Sequence, residues 1–156
     1  MSKVKFQNYS GIKNAKDNPR AIAKSDLVNG QAVIYSIGTD GKEYATLPTD
    51  ATTAKTVNHF VWNTIDKPEL DNESDFVIKS GEYARIFEFP QGELLDVSAD
   101  LVVTTTVSTG DVLVPTASGK YIVATAGDTG YKFALKMKEK IFFRSDFGYT
   151  ALVVER

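Results

Sequence analysis

The sequence predicts a mainly β protein, a small single-domain β-barrel or β-sandwich built from hairpins, with an extended N-terminal arm and at most one or two short helices. Short alternating or β-branched runs recur with turn residues roughly every 8–12 positions, a spacing typical of sandwiches and barrels. The length of 156 residues suits one domain with its own core. A hydrophobic fraction of 42% and a charged fraction of 24% are typical of a chain that folds.

The first 18 residues are predicted to be an extended basic arm, and residues 19–156 a single β-rich domain. The arm shows no sustained helical or strand period. Six lysines and arginines face one aspartate in the first 24 residues, a net charge of +5, which leaves −7 on the remainder of a chain whose total is −2. A basic segment of this kind can contact an acidic surface or remain a solvated terminus.

A short helix is predicted at 19–28, directly after the arm. Asn18 can cap its start, Pro19 takes the favoured first helical position, and Gly30 lies just past its end. Strands are expected to dominate the rest of the domain.

The hairpins are predicted from their turn residues. Asp40-Gly41 supplies the positive φ angles of a tight turn, and the stretch VSTGDVLVPTASGKYIVATAG, residues 107–127, folds back around 118–120. That stretch contains no catalytic residue type in either of its strands. The predicted strand segments are 32–37, 43–47, two around 80–81 within 76–89, 93–97, 101–107, 112–114, 121–124, 133–143 and 149–155. The segment 49–65 is predicted to be a short helix, or a loop with a strand at 59–64.

No enzymatic site is expected. The chain has no cysteine, which excludes disulfides, thiolate nucleophiles and iron–sulfur clusters. Its one histidine, His59, excludes multi-histidine metal sites, and its apolar neighbours indicate a half-buried structural residue. No phosphate-binding glycine motif is present. The sequence therefore predicts no catalytic residue, no cofactor and no metal.

Two short segments contain residue patterns that are typical of functional sites. Asp128-Thr129-Gly130 has the pattern of aspartic proteases, which need two carboxylates sharing a proton, although an ordinary turn between strands also has this composition. The acidic loop 66–75, DKPELDNESD, ends in carboxylates at alternate positions as calcium loops begin. Counted from Asp71, the segment lacks the glycine that calcium loops have at the sixth position, because Phe76 stands there. A solvated loop is therefore the favoured interpretation.

A basic strand near the C-terminus has residue types that can bind nucleic acid. Lys136, Lys138 and Lys140 alternate with other residues and precede Phe142, Phe143 and Arg144. Alternation places the three lysines on one face of a strand, which indicates an edge strand protected by charge. Nucleic acid is therefore not expected as a partner. Membrane contact is not expected either, because no apolar run reaches the 18 or so residues that cross a bilayer and no signal segment is visible.

The C-terminal half, residues 76–156, resembles the capsid decoration, or cement, proteins of tailed bacteriophages. The matching segments are Gly110-Asp111-Val112-Leu113-Val114, Gly119-Lys120-Tyr121, 134–140 (ALKMKEK) and Leu152-Val153-Val154-Glu155. The resemblance implies a non-enzymatic, β-rich virion protein with an extended N-terminal segment, which folds in the host cytoplasm and binds the major capsid protein on the outer capsid surface. It also implies a homo-oligomer, most often a trimer.

The arm is our hypothesis for the capsid contact, because the resemblance does not reach it. Its apolar anchor residues would pack against the capsid protein, and its lysines would face the acidic surface of that protein. The anchors are Phe6, Tyr9 and Ile12, and the lysines are Lys3, Lys5, Lys13 and Lys16. The alternative is another virion component of similar composition, such as a head fibre base, a tail tube subunit or a head–tail connector subunit.

Overall fold

Strands dominate the computed structural model, which describes residues 4–6, 17–63, 76–143 and 146–155. The elements in chain order are β1 (Val4–Phe6), β2 (Asp17–Ala23), β3 (Ala32–Ile37), β4 (Glu43–Thr46), α1 (Ala51–Ala54), β5 (His59–Val61), β6 (Tyr83–Glu88), β7 (Leu94–Ser98), a 3-10 helix (Ala99–Leu101), β8 (Val112–Pro115), β9 (Tyr121–Val123), β10 (Ala134–Phe143) and β11 (Asp146–Val154). The mainly β prediction is confirmed.

Five strands close into a barrel in the order β2-β4-β3-β5-β6. β2 and β4 run parallel, and the other neighbouring strands of the barrel are antiparallel. Because side chains alternate along a strand, every second residue points inward, and small residues there let the walls approach closely. The inward residues of the strands are Ala21, Ala23, Val33, Ala45, Val61, Ala84 and Ile86.

The other strands form a six-stranded antiparallel sheet in the order β1-β7-β11-β10-β8-β9. One wall of the barrel packs on this sheet. Phe60 and Phe87 point outward from β5 and β6 and lie in the same buried cluster as Leu95 of β7. Phe89 and Phe133 stack in that cluster with ring centroids 3.5 Å apart. Barrel and sheet therefore share the buried cluster between them, which we call the shared core and which is separate from the barrel interior. Of the two predicted alternatives, the closed barrel is present.

The hairpin of β8 and β9 is the joint between the two units. Its turn lies against the start of β3: the Ala32 amide donates to the Gly119 carbonyl at 2.8 Å, and Gln31 Nε2 donates to the Ser118 carbonyl at 2.9 Å. The fully buried Tyr121 donates its hydroxyl hydrogen to the Gly30 carbonyl at 2.8 Å. The hairpin within residues 107–127 thus connects the sheet to the barrel by hydrogen bonds.

Tyr121→Phe tests this joint. Losing the hydroxyl leaves the buried Gly30 carbonyl without its Tyr121 donor, so we expect a loss of about 1–3 kcal/mol in the free energy of unfolding at neutral pH, measured by urea denaturation.

A pH series provides the second readout. Burial raises the pKa of the Tyr121 phenol far above its ordinary value of 10.0. A raised folded-state pKa gives stability that is complete below the unfolded-state pKa and is lost as the pH rises above it, by about 1.4 kcal/mol per pH unit. The deficit of the phenylalanine variant should therefore shrink above about pH 10. A deficit that stays constant there would contradict the buried phenol.

The predicted helix at 19–28 is wrong. Residues up to Ala23 belong to β2, because Ala21 and Ala23 fill the barrel interior at alternate positions. The tertiary pairing overrides the local helix signals. Pro19 lies in an irregularity of the β2–β6 pairing between Asn18 and Ala21 rather than at a helix start. β2 also begins at Asp17, inside the segment assigned to the arm.

The helical turn lies instead in the segment 49–65. The Asp50 side chain caps α1, because it accepts a hydrogen bond from the Thr53 amide at 2.8 Å. The Thr53 hydroxyl oxygen in turn accepts a hydrogen bond from the Asp50 amide. β5 follows, so both alternatives predicted for this segment occur. The acidic loop 66–75 lies outside the described residues.

Most of the predicted strands are confirmed, including the one after the 80–81 turn, which is β6, and the one at 93–97, which is β7. The β3–β4, β8–β9 and β10–β11 pairs are confirmed. Of 76–79, the structure shows a single bridge between Ile78 and Leu27, and of 101–107 it shows the end of the 3-10 helix and a bridge between Val102 and Tyr121.

Candidate interaction surfaces

Asp128, the carboxylate of the protease-like Asp-Thr-Gly pattern, contacts a tyrosine and a lysine of the same chain. Asp128 accepts a hydrogen bond from the Tyr131 hydroxyl at 3.1 Å, and its second oxygen lies 3.6 Å from Lys55 Nζ. His59 Nδ1 lies 2.6 Å from Asn58 Oδ1, and its ring packs 5.6 Å from that of Tyr35.

Metal sites receive no support from the described part of the chain. Within it, no three histidine, aspartate or glutamate side chains come together as a metal site would require. The calcium-like carboxylates of 71–75 lie outside the described residues. None of the helices in the described part is long and apolar enough to cross a membrane.

The prediction that the three lysines of β10 share one face is wrong, because the strand is bulged between Met137 and Glu139. The prediction of an edge strand is also wrong, because β10 pairs with β11 on one side and with β8 on the other. Lys136 is paired with Leu152 on the exposed face, whereas Lys140 is paired with Tyr149, on the same face as the buried Met137. The extra residue of a bulge reverses the alternation that follows it.

The bulge places aromatic and basic side chains together at the tip of the β10–β11 hairpin. Phe142 is 81% exposed, and Lys140 Nζ lies 4.0 Å from the centre of the Phe147 ring. The tip is thus a small mixed surface rather than a row of lysines.

Part of the predicted arm forms an edge strand. β1 pairs with β7 in antiparallel register, with Lys5 opposite Asp96 and Phe6 opposite Leu95. Among the described strands, none pairs with the outer side of β1. The other residues assigned to capsid contact, Lys3, Tyr9, Ile12, Lys13 and Lys16, lie outside the described residues.

The barrel wall opposite the shared core is an exposed basic and aromatic surface, which sequence reasoning missed. The pairing registers place Tyr83 of β6, Ile22 of β2 and Tyr44 of β4 side by side on the outside. Arg20 lines the same groove as Ile22 and Tyr83, and Lys24, which directly follows β2, lies over the Tyr44 ring. We call this surface the outer barrel face and define it by Arg20, Ile22, Lys24, Lys42, Tyr44 and Tyr83. The alternation in Arg-Ala-Ile-Ala-Lys, residues 20–24, is typical of a strand with one small-residue face, but the predicted helix at 19–28 covered the same residues.

The outer barrel face has three cations and two neighbouring carboxylates, and each carboxylate accepts a hydrogen bond from a tyrosine hydroxyl. Lys24 Nζ lies 3.6 Å from the centre of the Tyr44 ring, and the Tyr44 hydroxyl donates to Asp40 at 2.6 Å. Glu43 accepts from the Tyr35 hydroxyl at 2.7 Å and from Asn18 Nδ2 at 2.8 Å. The Tyr35 bond is the main cause that lowers the pKa of Glu43 below its ordinary value.

An open groove of about 560 Å³ runs across this face. It lies between β2, the start of β6 and the β3–β4 turn, with Pro19 and Ile22 as its apolar lining and Arg20, Lys42 and Glu43 as its charged lining. Tyr83, 66% exposed, forms one side. The groove and the cations around it can receive an extended segment that carries acidic and apolar side chains.

Neither a protein family, nor a characterised protein, nor a solved structure matches this chain. Its fold and surfaces define a mainly β protein with a closed five-stranded barrel packed on a six-stranded sheet.

Proposed function

We propose that the chain is a non-enzymatic virion structural protein that binds the outer surface of a tailed-phage capsid and stabilises it. The observation that carries the proposal is β1: part of the basic N-terminal segment is competent to form a strand, and it occupies the edge of a sheet. The resemblance of residues 76–156 to cement proteins supplies the identity of the partner.

Strand addition is the physical route. β1 is only three residues long, so its pairing with β7 is a small contact. An edge strand offers backbone N–H and C=O groups to a strand of the capsid protein, and main-chain hydrogen bonds supply affinity. Residues 1–16 carry four lysines and no acidic residue, which adds attraction to an acidic capsid surface. Each bound copy stabilises the lattice modestly, and the contributions of many copies add.

Light scattering tests the function directly. The purified chain is measured alone and after mixing with empty heads assembled from the major capsid protein of the same genome. Saturation at hundreds of copies per head is the expected result. Self-assembly into rings or tubes, or binding of a few copies at one vertex, would favour the alternative of a tail tube, connector or fibre-base subunit.

Deleting residues 2–16 is expected to abolish head binding and leave the body folded, since β2 and the barrel begin at Asp17. Bound copies are counted by light scattering, and the thermal midpoint of the free variant reports folding. A companion variant replaces Lys3, Lys5, Lys13 and Lys16 with glutamine and keeps the strand. Full binding by the deletion variant would refute the role of the arm.

A further inference from the structure

The outer barrel face is a second surface with the chemistry of a docking site, distinct from the arm. The opposite wall of the barrel is buried against the sheet through Phe60 and Phe87, so the two walls have different roles. The exposed wall keeps a large aromatic side chain, Tyr83, in solvent and surrounds it with cations. Exposed aromatic and arginine side chains are enriched where proteins bind one another.

The charge of this face is opposite to that of the chain as a whole. The chain carries −2 in total, and the part beyond residue 24 carries −7. Arg20, Lys24 and Lys42 are all exposed on the face. The two nearest carboxylates, Asp40 and Glu43, accept hydrogen bonds from tyrosine hydroxyls of the same chain and keep their negative charges, so the three cations leave this region a net charge of +1. The face therefore attracts acidic groups from outside.

We propose that the outer barrel face docks an acidic polypeptide segment, with an apolar side chain of that segment in the groove beside Ile22. The inference goes beyond the capsid proposal, because it needs only an acidic protein partner. A single groove is smaller than the interface of a stable complex, which buries about 800 Å² per partner, so the contact is weak and sensitive to salt.

A protein partner fits the face better than a nucleic acid. Single-stranded nucleic acids bind through successive open aromatic rings and a continuous basic track. Here Lys24 covers the Tyr44 ring, and Glu43 lies in the groove between Arg20 and Lys42. One exposed ring and an interrupted track suit a mixed acidic and apolar peptide.

The test is an NMR titration of the full chain with a short glutamate- and leucine-containing peptide, and with an oligothymidylate of equal charge. Amide shifts should concentrate on β2 and β4. The variant Arg20→Glu/Lys24→Glu/Lys42→Glu should weaken peptide binding about tenfold or more at low salt. The control Lys132→Glu/Lys136→Glu/Lys138→Glu changes the net charge equally, from −2 to −8, at exposed positions away from the face.

Equal losses in both variants would overturn the proposal, since bulk charge alone would then explain binding. Shifts at the β10–β11 tip, tighter binding of the oligothymidylate, or no binding would also overturn it. The amide spectrum of each variant checks its fold, and Tyr83→Ala, which removes the ring without a charge, should weaken the peptide too. The peptide titration does not involve phage heads, so its outcome is independent of the capsid proposal.

Discussion

Gly119→Ala is expected to lower the free energy of unfolding by about 2–5 kcal/mol, through two costs that add. Gly119 has a φ of +73°, a left-handed conformation that disfavours alanine. A Cβ at this position would lie 2.7 Å from the Ala32 carbonyl oxygen and 2.7 Å from Leu47 Cδ2. The first of these atoms is backbone, so the joint between hairpin and barrel must shift to admit the methyl group. Urea denaturation measures the loss.

Gly41→Ala is the matched control for this substitution. Gly41 has a φ of +75° in the β3–β4 turn, and a Cβ there meets nothing within 4 Å. Its substitution carries only the backbone cost of about 1–2 kcal/mol. The difference between the two variants isolates the contact of the hairpin with the barrel, and equal losses would mean that the hairpin turn does not press on β3 in solution.

The same two glycines show which parts of the fold the sequence encodes locally. Asp40-Gly41 and Ser118-Gly119 specify turns by the conformations that their residues adopt, so the hairpins around them are predicted correctly. The docking of the second turn on Ala32 joins residues that are far apart in the chain. Nothing in the local pattern at 107–127 indicates that contact.

Two register irregularities changed features that the sequence was expected to specify. The irregularity between Asn18 and Ala21 and the bulge between Met137 and Glu139 are set by pairing with distant strands. Each changes which side chains face solvent, so it changes the predicted surface as well as the predicted element. The parallel pairing of β2 with β4 is likewise a tertiary choice, and it is what brings Ile22 beside Tyr44.

The basic character of the candidate surfaces was predictable, and their shape was not. The excess of lysine and arginine in the first 24 residues is visible in composition alone. That Arg20 and Lys24 lie beside Tyr44 and Tyr83, rather than on an arm or helix, depends on closure of the barrel. Charge therefore underlies the proposal of an acidic partner, and the fold underlies the position proposed for its contact.

Phe133→Ala is expected to lower the free energy of unfolding by about 3–5 kcal/mol, the usual range for removing a buried aromatic side chain. Phe133 is 1% exposed and lies between the two units. Its ring stacks on Phe89, which follows the last barrel strand, and meets Tyr121 edge-on with centroids 6.3 Å apart. Alanine would leave a cavity beside the Phe89 and Tyr121 rings, which are held in place because Phe89 directly follows β6 and Tyr121 lies in β9.

Phe142→Ala is the control, because Phe142 is 81% exposed in the same strand region and its loss should change stability by no more than about 0.5 kcal/mol. Urea denaturation followed by tryptophan fluorescence suits the comparison, as Trp62, the chain's one tryptophan, packs against the shared core. Phe133→Leu, which keeps an apolar side chain, should lose less than the alanine variant. If Phe133→Ala were as mild as Phe142→Ala, the layer between barrel and sheet would not be the core that holds them together, and the two units would have to derive their stability separately.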